Sequence, residues 1–366
     1  MNLMQSSFTN RRKCLLQLAS LSFTLNLHLN GQSQAQTDND FSNTIKQLDD
    51  PPTGPSSADN LMTNEDSIAS IVDQISKEVP KRQVYLGVGP DQNYSLMAQV
   101  EPSYGFILDY RKKNQLLHLF QKALVEISAD RHTYLENFWG RNFPELPLGL
   151  NDLENRLKTI AHQPVNESLL QSTKEKVRKT ISQWNLLNEQ EFQEIATIQS
   201  RLAGPGPDAR FLALKMYPTL GSLITMPSRS GQPSHWLGSE PSYAGIRRLH
   251  VSGRILPIVG DWAATGSIRR LSGYLKSNQL QVGCIYMSDV EFFLLRGGLF
   301  QKYIENLAEL PLHPDSRIIR TSTREIRHPE RIPGRSSTTI VRPLRRFLEI
   351  AKAGKIKVWD DLFGVS

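Results

Sequence analysis

Two glycines, Gly87 and Gly89, close the apolar run in VYLGVGPDQNYSL, and a carboxylate, Asp109, follows 22 residues after the first of them. Glycine at such a corner lets backbone N–H groups come close to a ligand, and the start of a following helix favours negative charge. In an open parallel sheet, a carboxylate about 20 residues further on reaches ribose hydroxyls. It accepts hydrogen bonds from two hydroxyls and repels a phosphate, which favours adenosine without a 2′-phosphate. Two later corners carry short polar residues, Gly260 with Asp261 and Ser288 with Asp289. A strand-end aspartate can equally cap the helix that follows, so Asp109 and Asp261 each have a local alternative. Gln92 stands where the dinucleotide fingerprint needs its third glycine, which disfavours a pyrophosphate.

Four short apolar runs must position these corners. Val84 to Val88, Tyr104 to Leu108, Arg254 to Val259 and Val282 to Met287 read as strands, each ending in glycine or a short polar residue. Between them lie helical periods: Leu116, Leu117, Phe120, Leu124 after the second run, and Ile268, Leu271, Leu275 before the fourth. Alternating strands and helices predict an α/β fold with a mostly parallel sheet, whose carboxyl ends line one crevice. Asn64, Glu65 and Asp66 read as the capped, acidic start of an earlier helix carrying Ile68, Ile71, Val72 and Ile75, which Pro80 stops. Residues 127–253 form a largely helical insertion between the second and third strands, expected to border the crevice. Its aromatics, Trp139, Trp184, Tyr217 and Trp236, fit a core more readily than a pocket wall.

With 366 residues, 39% apolar and 22% charged, the chain has the makeup of a globular protein with a sizeable core. Residues 1–37 read as an export leader: a basic start containing Arg11, Arg12 and Lys13, an apolar stretch from Cys14 to Leu29, and the small-x-small pattern Ser33, Gln34, Ala35. The arginine pair followed by Leu15 and Leu16 resembles a twin-arginine signal, which predicts a periplasmic protein; a cytoplasmic location is the alternative. Residues 38–60, rich in Gln, Asp, Asn, Pro and Ser, read as a disordered linker, and 61–325 as the folded domain. Cys284 then stands alone in an apolar run, and no Cys/His cluster has metal-ligand spacing. The net charge of +7 gathers late: Arg317 to Lys357 holds twelve Lys and Arg against three Glu, so 326–366 reads as a basic tail. Such a tail suits an anionic membrane surface, while its sparse aromatics and the lack of a nucleic-acid motif argue against nucleic acid. The oligomeric state is left open.

YLGVGPDQNYS from Tyr85, VGDWA from Val259, IYMSDVEFF from Ile285 and NLAELPLHPDSRIIR from Asn306 resemble the blocks of a bacterial methyltransferase-like family, similar to class I S-adenosylmethionine-dependent methyltransferases. The likeness runs from about Asn64 to Arg320. It implies a Rossmann-like fold of the class I methyltransferase type and S-adenosylmethionine as cofactor, held by Gly87, Gly89, Gln92, Asn93, Asp109 and Asp261. Ser288, Asp289 or Glu291 would then orient or deprotonate an unidentified acceptor. The chain departs from the family pattern at Asp91 for Glu, Trp262 for Phe and Asp289 for Asn, and it has Tyr85 and Leu86 where an acid commonly precedes the glycines. Export also conflicts with a cofactor found in the cytoplasm. The second reading is therefore an exported, non-catalytic protein that binds a small molecule in the same crevice. Hydrolysis lacks its GxSxG corner.

Overall fold

The computed structural model describes residues 38–51, 60–323 and 326–364. The expected leader, 1–37, lies outside the described residues. The first described element is a helix over 38–48, α1. Phe41, Ile45 and Leu48, spaced for one helical face, are buried. This corrects the expectation of a disordered linker over 38–60, of which 52–59 lie outside the described residues. The helix is anchored through Lys122, whose ammonium sits 4.6 Å from the Phe41 ring and 5.1 Å from the Trp184 ring.

Six strands form one sheet: β1 (Val84–Gly87), β2 (Tyr104–Asp109), β3 (Ile255–Val259), β4 (Val282–Tyr286), β5 (Leu312–Ser322) and β6 (Thr338–Pro343). Their spatial order is β3-β2-β1-β4-β5-β6. The first five run parallel, and β6 is antiparallel to β5. Helices flank the sheet, so strands β1, β3 and β4 are buried at every residue. That is why they read in the sequence as unbroken apolar runs. The order reverses between β1 and β4, the switch point at which such sheets open a crevice at their carboxyl ends.

Helix α2 (Val72–Glu78) precedes β1; α3 (Gln92–Val100) links β1 to β2 and α4 (Lys112–Glu126) follows β2. The insertion contributes α5 (Arg131–Trp139), α6 (Leu150–Ala161), α7 (Glu167–Ser182), α8 (Glu189–Ala203), α9 (Leu220–Ile224) and α10 (Glu240–Val251). It is largely helical, and Trp139, Trp184 and Trp236 are core. The second half supplies α11 (Gly266–Ser277), α12 (Val290–Arg296), α13 (Phe300–Glu309), α14 (Leu344–Lys352) and α15 (Asp361–Gly364). The stretch read as a basic tail is thus part of the domain. Its Ile340 and Val341 complete the sheet, and Leu344, Phe347 and Leu348 are buried beneath the arginines.

The edge strand β3 is closed off by the chain that leaves α1. Pro257 offers no N–H to an outer partner, as suits an edge. Beside it, Asp49 accepts the Val259 N–H at 2.8 Å and the Asp50 N–H donates to the Val259 carbonyl at 2.8 Å. Asp50 also accepts from the Ser267 N–H (2.9 Å) at the positive end of α11 and from Arg270 Nη2 (2.6 Å). The exposed ladder that invites aggregation is covered by the protein's own N-terminal segment. Among the described residues, no helix is long and apolar enough to cross a membrane.

Candidate functional site

The corner after β1 is held together by its own side chains. The Asn93 amide donates to the carbonyls of Val88 (3.0 Å), Gly89 (3.2 Å) and Pro90 (2.6 Å), and its Oδ1 accepts from the Tyr85 hydroxyl at 2.8 Å. A Cβ on Gly87 would sit 1.9 Å from Asn93 Oδ1, so the glycine makes room for that amide. Gly89 lies at φ +80°, where a side chain is strained. Its carbonyl faces His118 Nε2 at 2.9 Å. That nitrogen therefore carries the proton, and Nδ1 accepts from the Tyr94 hydroxyl at 2.7 Å. Burial lowers the His118 pKa to about 4, keeping the ring neutral. Gly87, Gly89 and Asn93, expected to meet a cofactor, here shape the turn.

Asp109 sits at the end of β2, as expected, but both its oxygens are engaged. Arg111 donates to Oδ1 from its backbone N–H (3.0 Å) and Nε (2.8 Å), and to Oδ2 from Nη2 (2.5 Å). Asp261, after β3, accepts from the Ala263 N–H at 2.8 Å and closes a local turn. Glu291 is drawn away from the crevice into a sealed ion pair. Its Oε2 meets Arg320 Nε at 2.6 Å, with both side chains fully buried, and its Oε1 accepts from the Tyr303 hydroxyl at 3.0 Å.

The remaining expected residues gather at the switch point, around a carboxylate that local sequence reading assigned to a helix start. No helix opens at Asn64; a single 3-10 turn covers Ile68–Ser70 and α2 begins at Val72. Glu65 is instead buried against β4. Its Oε2 accepts from the Tyr286 hydroxyl at 2.7 Å, its Oε1 is bonded to Ser288 Oγ, and Tyr286 in turn accepts from Gln92 Nε2 at 3.0 Å. Burial raises the Glu65 pKa to about 7, against the lowering pull of its bonds to Ser288, Thr321 and Tyr286. The charge of Asp289, whose own pKa burial also raises, adds to the shift. Ser288 adopts φ +51°, a left-handed conformation that is strained for serine and is the kind found at binding sites.

The protonation state of Glu65 decides what Ser288 can do. Tyr286 donates to Oε2, so the proton of neutral Glu65 lies on Oε1, facing Ser288. Ser288 then accepts that proton's bond, and its own O–H, on a half-buried side chain, can turn to a second acceptor, with Asp289 in reach. When Glu65 ionises, Ser288 must donate inward. The cluster is thus a hydrogen-bond donor whose direction depends on a proton.

Beside it is a small cavity of about 20 Å³, room for one water, bordered by Glu65, Gln92, Ser95, Ser234 and His235. Gln92 Oε1, in a residue 4% exposed, has no hydrogen-bond partner among the described residues. His235 accepts the Leu237 N–H on Nδ1 (3.1 Å), so its Nε2–H faces Asp91 Oδ2 at 4.0 Å. Burial lowers the His235 pKa to about 3 and raises that of Asp91 to about 6. Three carboxyl groups with raised pKa, Glu65, Asp91 and Asp289, therefore lie on the loops around one sheet end. Such grouping marks functional sites. Cys284, buried in β4, keeps a thiol whose pKa burial raises.

Fold and site together define an α/β protein with a mostly parallel sheet and a polar cluster at the switch point, compatible with a Rossmann-like arrangement. The chain belongs to the family described as Domain of unknown function (DUF7790), whose model matches residues 61–355. No curated protein matches the chain.

Proposed function

We propose that this chain is a ligand-binding protein on a Rossmann-like, methyltransferase-type scaffold. In this reading Glu65, Gln92, Tyr286, Ser288 and Asp289 recognise a small polar molecule and no methyl transfer takes place. The observation that carries the reading is Asp109, whose carboxylate is ion-paired with Arg111 and only 1% exposed, so it does not face a ligand's ribose hydroxyls. The switch-point cluster, by contrast, retains an acceptor, Gln92 Oε1, that is unpaired among the described residues, and a half-buried hydroxyl, Ser288, that Glu65 frees to donate elsewhere when it is neutral. The leader read in residues 1–37 agrees, because an exported protein meets no cytoplasmic S-adenosylmethionine.

Methyl transfer with S-adenosylmethionine is the second reading. It is favoured by the strand order around β1 and by an acid at the end of β2. It requires Arg111 to release Asp109. Calorimetric titration of the purified chain with S-adenosylmethionine and S-adenosylhomocysteine separates the two. The binding reading expects no saturable heat from either. Stoichiometric heat that Asp109→Asn abolishes would replace it with the transferase reading. A thermal-shift screen of small polar metabolites supplies the positive arm: a ligand that raises Tm should lose its effect in Ser288→Ala.

A further inference from the structure

A second concavity, which shares no lining residue with the cavity beside Glu65, lies between α12 and the segment leading into α15. Its volume is about 630 Å³, within the range of small-molecule sites. Phe292, Leu295, Ile326, Val358 and Trp359 wall it, and Arg296, Lys357 and Asp360 are its charged members. The wall is built, not incidental. Trp359 meets Phe292 edge-on at 5.7 Å and Phe363 at 5.1 Å, and its indole N–H donates to Ser322 Oγ at 3.2 Å, which fixes the ring. Phe293 and Val358 carry the apolar surface outward at 61% and 57% exposure. Exposed apolar groups gathered at a hollow mark contact sites.

The charge around the hollow selects among apolar ligands. The Arg296 guanidinium lies over the Phe292 ring at 5.4 Å, and among the described residues neither it nor Lys357 forms an ion pair. Against Asp360 the lining keeps one net positive charge, and it adjoins the stretch with twelve basic residues to three acidic. A ligand with an apolar body and a single anionic head matches both features. Ile326 and Trp359, 8% and 7% exposed, are recessed, which suits a single inserted chain more than contact with a bilayer face.

We propose that this groove binds an amphiphilic carboxylate of the medium-chain fatty-acid class. Its alkyl chain lies along Leu295, Ile326 and Trp359, and its head meets Arg296 and Lys357. The test is quenching of tryptophan fluorescence in the full chain by a terminally brominated undecanoate. Quenching should saturate, disappear in Trp359→Phe, and be competed by decanoate but not by decanol or decyltrimethylammonium. Because Arg296 and Lys357 are exposed, the double variant Arg296→Glu, Lys357→Glu should keep its fold and its Tm while its affinity falls about tenfold or more. The control Arg345→Glu, Arg346→Glu should bind as the unaltered chain does. Equal competition by the alcohol or the ammonium, full affinity in the first double variant, or quenching only by brominated phosphatidylglycerol vesicles would overturn the proposal. The last result would assign the surface to a membrane.

Discussion

Glu65 and Glu291 are both buried near the end of the same strand, and the protein handles them in opposite ways. Glu291 is neutralised by charge: Arg320 bonds it through Nε and Nη2, and the guanidinium also lies 4.3 Å from the Phe347 ring. Glu65 is met by hydroxyl groups and by the repulsion of Asp289, and it is neutralised by a proton. The first arrangement is fixed and silent. The second can change state near neutral pH, and it is the one at the switch point of the sheet. Burial alone therefore does not separate a scaffold acid from a working one; the partner does.

The largest expected effect is on the scaffold side. Glu291→Ala leaves the Arg320 charge buried without its partner and should destabilise the fold by about 3–5 kcal/mol, read as a lowered denaturation midpoint. Replacing the pair, Glu291→Leu with Arg320→Met, should recover most of that loss. A single variant as stable as the unaltered chain would erase the contrast between the two glutamates.

The next effect concerns pH. Glu65 keeps its proton to about pH 7 in the folded chain, whereas the ordinary value of 4.5 holds when it is unfolded. The folded state therefore binds more protons between these values, and stability falls as pH rises through that window. The contribution is fully present below about pH 4.5 and gone above about pH 7, and it is on the order of 3 kcal/mol. Asp91, at about 6, and Asp289 act with the same sign. Glu65→Gln removes only the Glu65 part, so its stability curve over this window should be the flatter one; parallel curves would contradict the proton-neutralised site.

Two smaller effects sharpen the boundary between scaffold and site. Asn93→Ala strips three carbonyls and the Tyr85 hydroxyl of their partner and should cost about 2 kcal/mol of stability, marking the β1 corner as self-supporting. A thermal unfolding profile unchanged by that substitution would return the corner to the ligand. Asp50→Ala removes the carboxylate at the start of α11 and should cost about 1 kcal/mol. Protease cleavage within 38–50 should rise with it, and equal resistance would mean that the edge cover does not depend on this carboxylate.

Much of the fold was legible in the sequence because buried parallel strands are written as continuous apolar runs, and Val84–Gly87, Tyr104–Asp109, Ile255–Val259 and Val282–Tyr286 fall where those runs lie. Helix 38–48 was hidden because three apolar residues suffice for it, and their spacing at Phe41, Ile45 and Leu48 was the only signal among polar neighbours. The arginines after Arg317 obscured β6 and α14 in the same way. At the site, Ser288 and Gln92 were legible as corner residues. Glu65 was not, because its partner Ser288 lies 223 residues away, and an acid after a cap residue reads locally as a helix start. Glu291 misled for the same reason: Arg320, 29 residues on, decides its role. Arg111, two residues beyond Asp109, was the nearest warning that the carboxylate is already taken.

The most direct test is a carboxyl titration of the folded protein by carbon-13 NMR, with the Glu65 resonance assigned through its loss in Glu65→Gln. The midpoint should lie near pH 7, well separated from the exposed glutamates. A Glu65 carboxyl that is already ionised at pH 5, near the ordinary value of 4.5, would contradict it.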